Sequence, residues 1–388
     1  MIIAFWISIF IVFYTFFGYG IVLYALVKLR ILLKGKRPIP DNGGNWPTAT
    51  LIVAAYNEQD YIIEKIKNTL ALNYPAGKLE FIFVTDGSSD KTPDLIKQYP
   101  QVKLMHRPER SGKIAAVHRA MKEVTTEIAI FTDANTFLNK DAILNICRHY
   151  ADPTVGAVAG EKRVSIEDVA DATAGEGFYW KYESKLKTWD SELYSVVGAA
   201  GELFSVRTNL YIPVEPDTIL DDFMISMLIA EKGYRIIYEP MAFATETGSE
   251  SVKEELKRKV RIAAGGIQSI VRLKSLLNPF SQFVLVFQYI SHRVLRWTVT
   301  PYLMILAYFL NLQIVLMGGG IFYLIILGCQ ALFYGMALLG YLLEKRDIHI
   351  KILFIPYYFC MMNYAVLAGQ RRYLKGNQSA AWEKSKRK

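Results

Sequence analysis

At 388 residues the chain is long enough for one catalytic-sized domain with membrane segments attached. It is 52% hydrophobic, has a mean hydropathy of +0.19 and carries a net charge of +9. That balance suits anionic lipid and phosphate. It argues against nucleic acid, because the basic residues cluster at the flanks of apolar runs and not along an aromatic-studded groove.

Residues 1–27 hold no charged side chain, which predicts a transmembrane helix over 1–30, since a bilayer core takes about 20 apolar residues. The run is too long and lacks the basic start of a cleaved leader, so it reads as a retained anchor. Its basic flank (Lys28, Arg30, Lys34, Lys36, Arg37) puts the following domain in the cytosol. Residues 31–49, with Pro38, Pro40, Gly43, Gly44 and Pro47, read as a linker.

An alternation of strands and helices then begins. Strands are expected at Thr50–Ala55, Glu80–Thr85, Val102–His106 and Ile128–Thr132. Helices are expected at Ile62–Leu72, from Asp90 to about Tyr99, and at Gly112–Val124. Such an order implies an α/β domain over 50–277, a parallel sheet with helices on both faces. Ligands bind beyond the carboxyl ends of such strands. Three of these ends carry acidic residues or an asparagine: Asn57-Glu58, Asp86 to Asp90, and Asp133-Ala134-Asn135.

Residues 156–247 are less regular, with a glycine-rich stretch at Gly198–Gly201 and an acidic pair, Asp221-Asp222, opening a helix to Lys232. Residues 251–277 are cationic and amphipathic. Residues 278–296 read as an interfacial helix. Two transmembrane helices are expected within 297–343, broken at Gly318–Gly320. Residues 352–370 form a third C-terminal membrane segment, spanning or re-entrant because both flanks are basic and Pro356 lies inside. A basic tail, 371–388, is placed in the cytosol.

Carboxylates at the first two strand ends can accept hydrogen bonds from a base N–H and ribose hydroxyls, although Asp86 and Asp90 also suit turns and helix caps. Arg110 and Lys113 open a helix, where cations and backbone N–H groups favour phosphate. The P-loop spacing is absent. Asp133 and Asn135 offer oxygen donors for a hard cation, or form an ordinary strand-end turn. Adjacent carboxylates repel, which raises one pKa and suits Asp221-Asp222 to a general base, although helix N-terminal caps look the same. Arg258 and Arg261, three apart on one helix face, could hold a diphosphate or face anionic lipid. The five histidines and three cysteines show no metal or redox spacing, and the cysteines read as buried reduced thiols.

Taken in order, Tyr56-Asn57-Glu58, Asp86 to Asp90, Gly112-Lys113, Asp133-Ala-Asn135, Gly198-Ala-Ala-Gly201-Glu202, Asp221-Asp222 and Arg258-Lys-Val-Arg261 follow the landmarks of family-2 inverting glycosyltransferases. Over about residues 50–300 the chain resembles their membrane-integrated branch, the cellulose, chitin, hyaluronan and poly-N-acetylglucosamine synthases. The resemblance implies a GT-A, Rossmann-like domain with transmembrane and interfacial helices, in a multi-pass protein of the inner or plasma membrane. It implies a UDP-sugar donor, a glycan or lipid acceptor and a divalent cation, Mg²⁺ or Mn²⁺. Asp86 would bind the uridine, with Asn57, Glu58, Lys113, Asp133, Arg258 and Arg261 also on the donor side. Asp133 and Asn135 would hold the metal, Asp222 would be the base, and Gly201, Glu202 and Asp221 would meet the acceptor. An α-linked donor would give a β-linked product.

The chain departs from that pattern at four places. Asn135 replaces a second metal aspartate, Asp221-Asp222 replaces Glu-Asp, His118 stands where Asn is common, and Ile262 replaces the tryptophan of the synthases' Gln-x-x-Arg-Trp motif. Ile262 cannot stack on a sugar, which argues against a long polymer. If polymer is made, so few helices imply a homo-oligomer or an export partner. Two alternatives stand beside the enzyme: a catalytically degenerate nucleotide-sugar-binding subunit of an export complex, and a transporter, which the charge-free spans disfavour.

Overall fold

The computed structural model describes residues 1–38, 43–164, 173–246, 252–346, 348 and 350–376, with the side chains of 173–179 outside that description. Pro40 of the linker, His349 and the tail from 377 onward therefore lie outside the described residues.

Alternating apolar side chains build the central sheet. In β1 (Ala49–Ala55), Leu51 and Val53 enter one core, while Ile52 and Ala54 enter the other on the opposite face. Burial of each of Leu51, Ile52 and Val53 contributes about 1.5–3 kcal/mol. β1 pairs in parallel with β2 (Leu79–Asp86) and with β4 (Ile128–Asp133), and β2 pairs with β3 (Lys103–Arg107). Ala55 lies opposite Thr85 and Ala54 opposite Asp133, so the carboxyl ends of β1, β2 and β4 share one edge.

The parallel sheet expected from the sequence ends there. β7 (Leu203–Arg207) runs antiparallel to β4, and β6 (Val155–Val164) antiparallel to β7. β8 (Arg235–Glu246) lies parallel to β6, and the short β5 (Phe137–Leu138) pairs antiparallel with β8. The full order is β3-β2-β1-β4-β7-β6-β8-β5. The reversal of β7 matters for function. It puts that strand's start, Leu203, opposite Thr132 at the ligand edge of β4.

Among the described residues, three helices are long and apolar enough to cross a membrane: Ile2–Lys34, Ile321–Glu344 and Lys351–Leu374. A fourth crossing arises only if Phe283–Trp297 and Thr300–Leu316, bent by 61°, count as one broken span. The last helix seats on the cationic helix Val252–Arg272 through small residues, a Cβ on Gly369 meeting the Ala263 side chain at 2.6 Å. The polar residues expected at an interface over 278–296 turn inward instead. Gln288 and His292 are fully buried and bond to Asp190, His292 Nδ1 at 2.6 Å. Of the cysteines, Cys147 is buried as expected, whereas Cys329 is exposed on the apolar helix Ile321–Glu344.

Candidate functional site

At the end of β2, Asp86 is 4% exposed. The backbone N–H groups of Ser111 and Gly112 donate to its Oδ2 at 2.7 and 2.6 Å. Gly87, with φ of +67°, has no room for a Cβ against Arg110 and so lets the 110–112 loop approach. Asp86 Oδ1 is buried without a hydrogen-bond partner, the nearest cation being Arg119 at 3.7 Å. It faces a small pocket walled by Ala54, Ala55, Tyr56, Arg110 and Gly112. A buried acceptor left unmatched costs about 1–3 kcal/mol until a donor meets it. Arg110 covers the Tyr56 ring at 4.0 Å.

Asn57 and Glu58 serve the scaffold of this edge. Asn57, at φ of +52°, accepts from Ser89 N–H at 2.8 Å and donates its own N–H to Ser88 Oγ. Glu58 is buried, its N–H donates to Thr92 Oγ1, and its carbonyl accepts from Tyr61 and Ile62 at the next helix start. Asp90 accepts from the backbone N–H groups of Gln59 and Thr92, the capping role weighed from the sequence.

At the end of β4, Lys113 Nζ donates to Asp133 Oδ1 at 2.8 Å and lies 4.0 Å from Asp221 Oδ2. Burial opposes the charge on Lys113, but Asp133 and Asp221 overcome that and raise its pKa, so the ammonium stays charged. Asp221 and Asp222 open the helix Asp221–Glu231. Asp222 is pushed up to about 7, first by burial, then by the charge of Asp221, with Lys113 pulling the other way. Gly201 sits between these groups. A methyl there would lie 3.3 Å from Asp222 Oδ2 and 3.5 Å from Lys113 Nζ. Gly198, at φ of +84°, leaves no space for a Cβ beside Phe223, so the loop leading to Gly201 can lie on that helix.

Glu202, beside Gly201, is tied down by Lys162 at 2.7 Å and Arg258 at 3.6 Å. Burial would raise its pKa, but Lys162 and Arg258 hold the carboxylate well below the usual range. Arg258 also pairs with Glu255, and Arg261 lines the same cavity as Asp222. Asn135 is half-buried two residues beyond Asp133. Among the described residues no group of three or more His, Cys, Asp or Glu is placed to hold a metal. Asp133 does line the cavity, and none of the described residues bonds to its Oδ2. A carboxylate oxygen is a donor type that suits a hard cation.

The sequence pointed to none of the supports behind this edge. Lys65, buried in the helix Ile62–Leu70, donates to Thr132 Oγ1 at 3.1 Å and to the Thr136 carbonyl at 2.6 Å, clamping both sides of Asp133. Burial pushes its ammonium down to about 7, with Asp133 opposing. Its signal was a lysine within the buried stripe Ile62, Lys65, Ile66, Thr69. Trp180, Glu183, Lys187 and Arg293 line the cavity beside Asp222 without belonging to any motif.

Residues 50–212 match the family model of glycosyl transferase family 2. The poly-β-1,6-N-acetyl-D-glucosamine synthase of Staphylococcus aureus (strain MSSA476) is 29% identical over 230 residues, 58% of this chain and 55% of that protein. The chain thus spans about half the length of the curated relatives it matches. The β-monoglucosyldiacylglycerol synthase of Synechocystis is 30% identical over 164 residues, 41% of this chain and 33% of that enzyme. Among solved structures, a mannosyltransferase from Pyrobaculum calidifontis, in complex with GDP-Man and Mn²⁺, superposes with a TM-score of 0.71. It is 24% identical, and the match covers 97% of this chain and 100% of that one, which shows a shared fold that includes the apolar helices.

Proposed function

Since the chain belongs to glycosyl transferase family 2, on its poly-N-acetylglucosamine synthase-like branch, we propose that it is a membrane-bound inverting transferase. It would move glucose or N-acetylglucosamine from a UDP-sugar to a glycan or lipid acceptor, in polysaccharide or glycolipid synthesis. One observation carries this reading: a carboxyl with a pKa of about 7, Asp222, lines a cavity together with Lys113 and Asp133 at the ligand edge of the sheet. A general base works best when its pKa lies near the working pH.

The residues divide the work as follows. Asp86 Oδ1, buried and unmatched, would accept a uracil N–H. Lys113 would meet the diphosphate, with Arg261 beside it on the cavity wall. Asp133 and Asn135 would hold Mg²⁺ or Mn²⁺, which offsets the charge of the departing diphosphate. Asp222 would take the proton of the acceptor hydroxyl as that oxygen attacks the anomeric carbon, and UDP leaves with the bonding electron pair. Arg258 is tied to Glu202 and Glu255, which favours a role in shaping the acceptor wall. The basic flank of the first helix supports a cytosolic domain.

UDP release by the purified full-length protein tests the proposal, with UDP-glucose and UDP-N-acetylglucosamine offered separately alongside bacterial lipid extract. Release from one donor should fall by about 10²–10⁴-fold in Asp222→Asn, the usual contribution of a general base. UDP binding should survive that substitution. Equal release by wild type and variant would remove Asp222 from the mechanism.

A further inference from the structure

The cavity beside Asp222 has a volume of about 630 Å³ and does not end at the sheet. Its far wall is apolar and comes from two membrane helices: Phe16 and Phe17 of Ile2–Lys34, and Ile355, Phe359 and Met362 of Lys351–Leu374. The whole lining holds eight Lys and Arg side chains against five Asp and Glu. Most of these cations have carboxylate partners. Glu183 takes Arg293 and Arg296 at 3.0 and 3.1 Å, and Glu202 takes Lys162 and Arg258.

Lys187 differs. It projects from the helix Thr173–Leu193 into this chamber, and among the described residues no carboxylate lies within 4.0 Å of its ammonium. Its one close contact of note is the Tyr238 ring, 5.6 Å away. Burial pushes its pKa down, Glu183 opposes, and Arg293 adds to the downward push. Glu202 also favours its charge and Lys162 opposes it, but with no carboxylate in ion-pair contact the partly dehydrated ammonium still gains from an incoming anion. Charge and apolarity therefore meet in one chamber, with the proton acceptor Asp222 at its end.

Resting on the transferase reading above, we propose that this chamber binds a phosphate-bearing glycerolipid as acceptor, its phosphate on Lys187, its acyl chains against Phe16 and Phe359, and a headgroup hydroxyl directed to Asp222. The hydroxyl oxygen forms the new bond to the anomeric carbon, the sugar–diphosphate bond breaks with its electrons leaving on UDP, and the hydroxyl proton passes to Asp222. A neutral lipid would leave Lys187 unmatched. A free phosphate compound would leave the apolar wall uncovered.

Calorimetry on the full-length protein in neutral detergent tests this without turnover. The probes are dioctanoyl phosphatidylglycerol, dioctanoylglycerol and acyl-free glycerophosphoglycerol. Phosphatidylglycerol should bind at least about tenfold more tightly than either of the others, the scale of one charge-assisted hydrogen bond. Lys187→Gln should weaken it about tenfold, Lys187→Arg should restore it, and thermal unfolding should show that both variants fold. Equal binding of dioctanoylglycerol, equal binding of glycerophosphoglycerol, or no effect of Lys187→Gln would each overturn the inference. UDP binding, measured on the same samples, reports the donor side separately. Its absence in the wild type would sink the transferase reading and leave the lipid result to be judged on its own.

Discussion

The Lys113 ammonium donates to Asp133 Oδ1 at 2.8 Å, joining the helix Lys113–Met121 to the end of β4. The same ammonium lies 4.0 Å from Asp221 Oδ2, so one cation offsets the repulsion between carboxylates brought close together. Replacing it with methionine keeps the stem and removes the charge. Lys113→Met should raise the apparent pKa of the Asp222 site further above its value of about 7. At pH 7 less of the base is then unprotonated, and the rate should fall about tenfold for every pH unit by which the midpoint rises. UDP affinity should fall as well. A variant with unchanged pH dependence would show that Lys113 does not act on this pair.

The proposed use of a divalent cation can be tested from the same geometry. Asp133 already carries Lys113 on one oxygen, and the described residues offer no three-carboxylate or histidine cluster beside it. Mn²⁺ alone should therefore bind weakly and leave the unfolding temperature unchanged. Mn²⁺ with UDP should raise it, because diphosphate oxygens complete the coordination and a ligand bound only by the folded state stabilises it. EDTA should abolish both the rise in unfolding temperature and turnover. A large rise with Mn²⁺ alone would point to a preformed metal site elsewhere.

As the proposed base, Asp222 would set the pH dependence. Its carboxyl, at about 7, must be unprotonated to accept a proton. Below pH 7, kcat/KM should fall about tenfold per pH unit, and above it should level off. The second cause of the raised value is the charge of Asp221. Asp221→Asn should move the midpoint to lower pH, and burial should keep it above the ordinary aspartate value of about 3.9. The midpoints belong to the pair, so both are read from wild-type and variant profiles together. An unmoved midpoint would mean that another group titrates.

How much of this was legible beforehand depended on whether a residue's role is local. Parallel strands deliver their carboxyl ends to one edge, so Asp86 and Asp133 could be placed from the strand order alone. The Asp221-Asp222 helix start was equally local. Roles that depend on distant contacts were hidden. Gly201 reaches Asp222 because β7 runs antiparallel to β4, and nothing in residues 156–247 announced that reversal. The bracing of the strand-end loops by the Asn57 side chain and the Glu58 backbone also depends on such distant contacts. His292 and Arg296 fit an interfacial helix by pattern. Their partners Asp190 and Glu183 lie about a hundred residues away and turn them inward.

That inward-turned cluster yields the strongest stability prediction. Glu183, 3% exposed, accepts from His292 Nε2 at 3.1 Å and pairs with Arg293 and Arg296. Burial alone would raise its pKa, but Arg293, His292 and Arg296 hold the carboxylate well below its usual range. The cluster also joins the first apolar helix to the sheet domain, because Tyr19 donates to Asp190, which His292 bonds on its other oxygen. Glu183→Ala removes the buried carboxylate shared by His292, Arg293 and Arg296 and should cost about 3–5 kcal/mol, since breaking a buried ion pair leaves charge less compensated. Glu192→Ala makes the contrast. Its ion pair with Arg30 also ties the first helix to the domain, but Glu192 is 29% exposed, and solvent screening limits the loss to about 1 kcal/mol or less. Thermal unfolding of both variants in detergent measures the difference. Equal unfolding temperatures would place the anchorage of the membrane helix elsewhere, whereas a large loss in Glu183→Ala alone would show that this buried cluster fastens it.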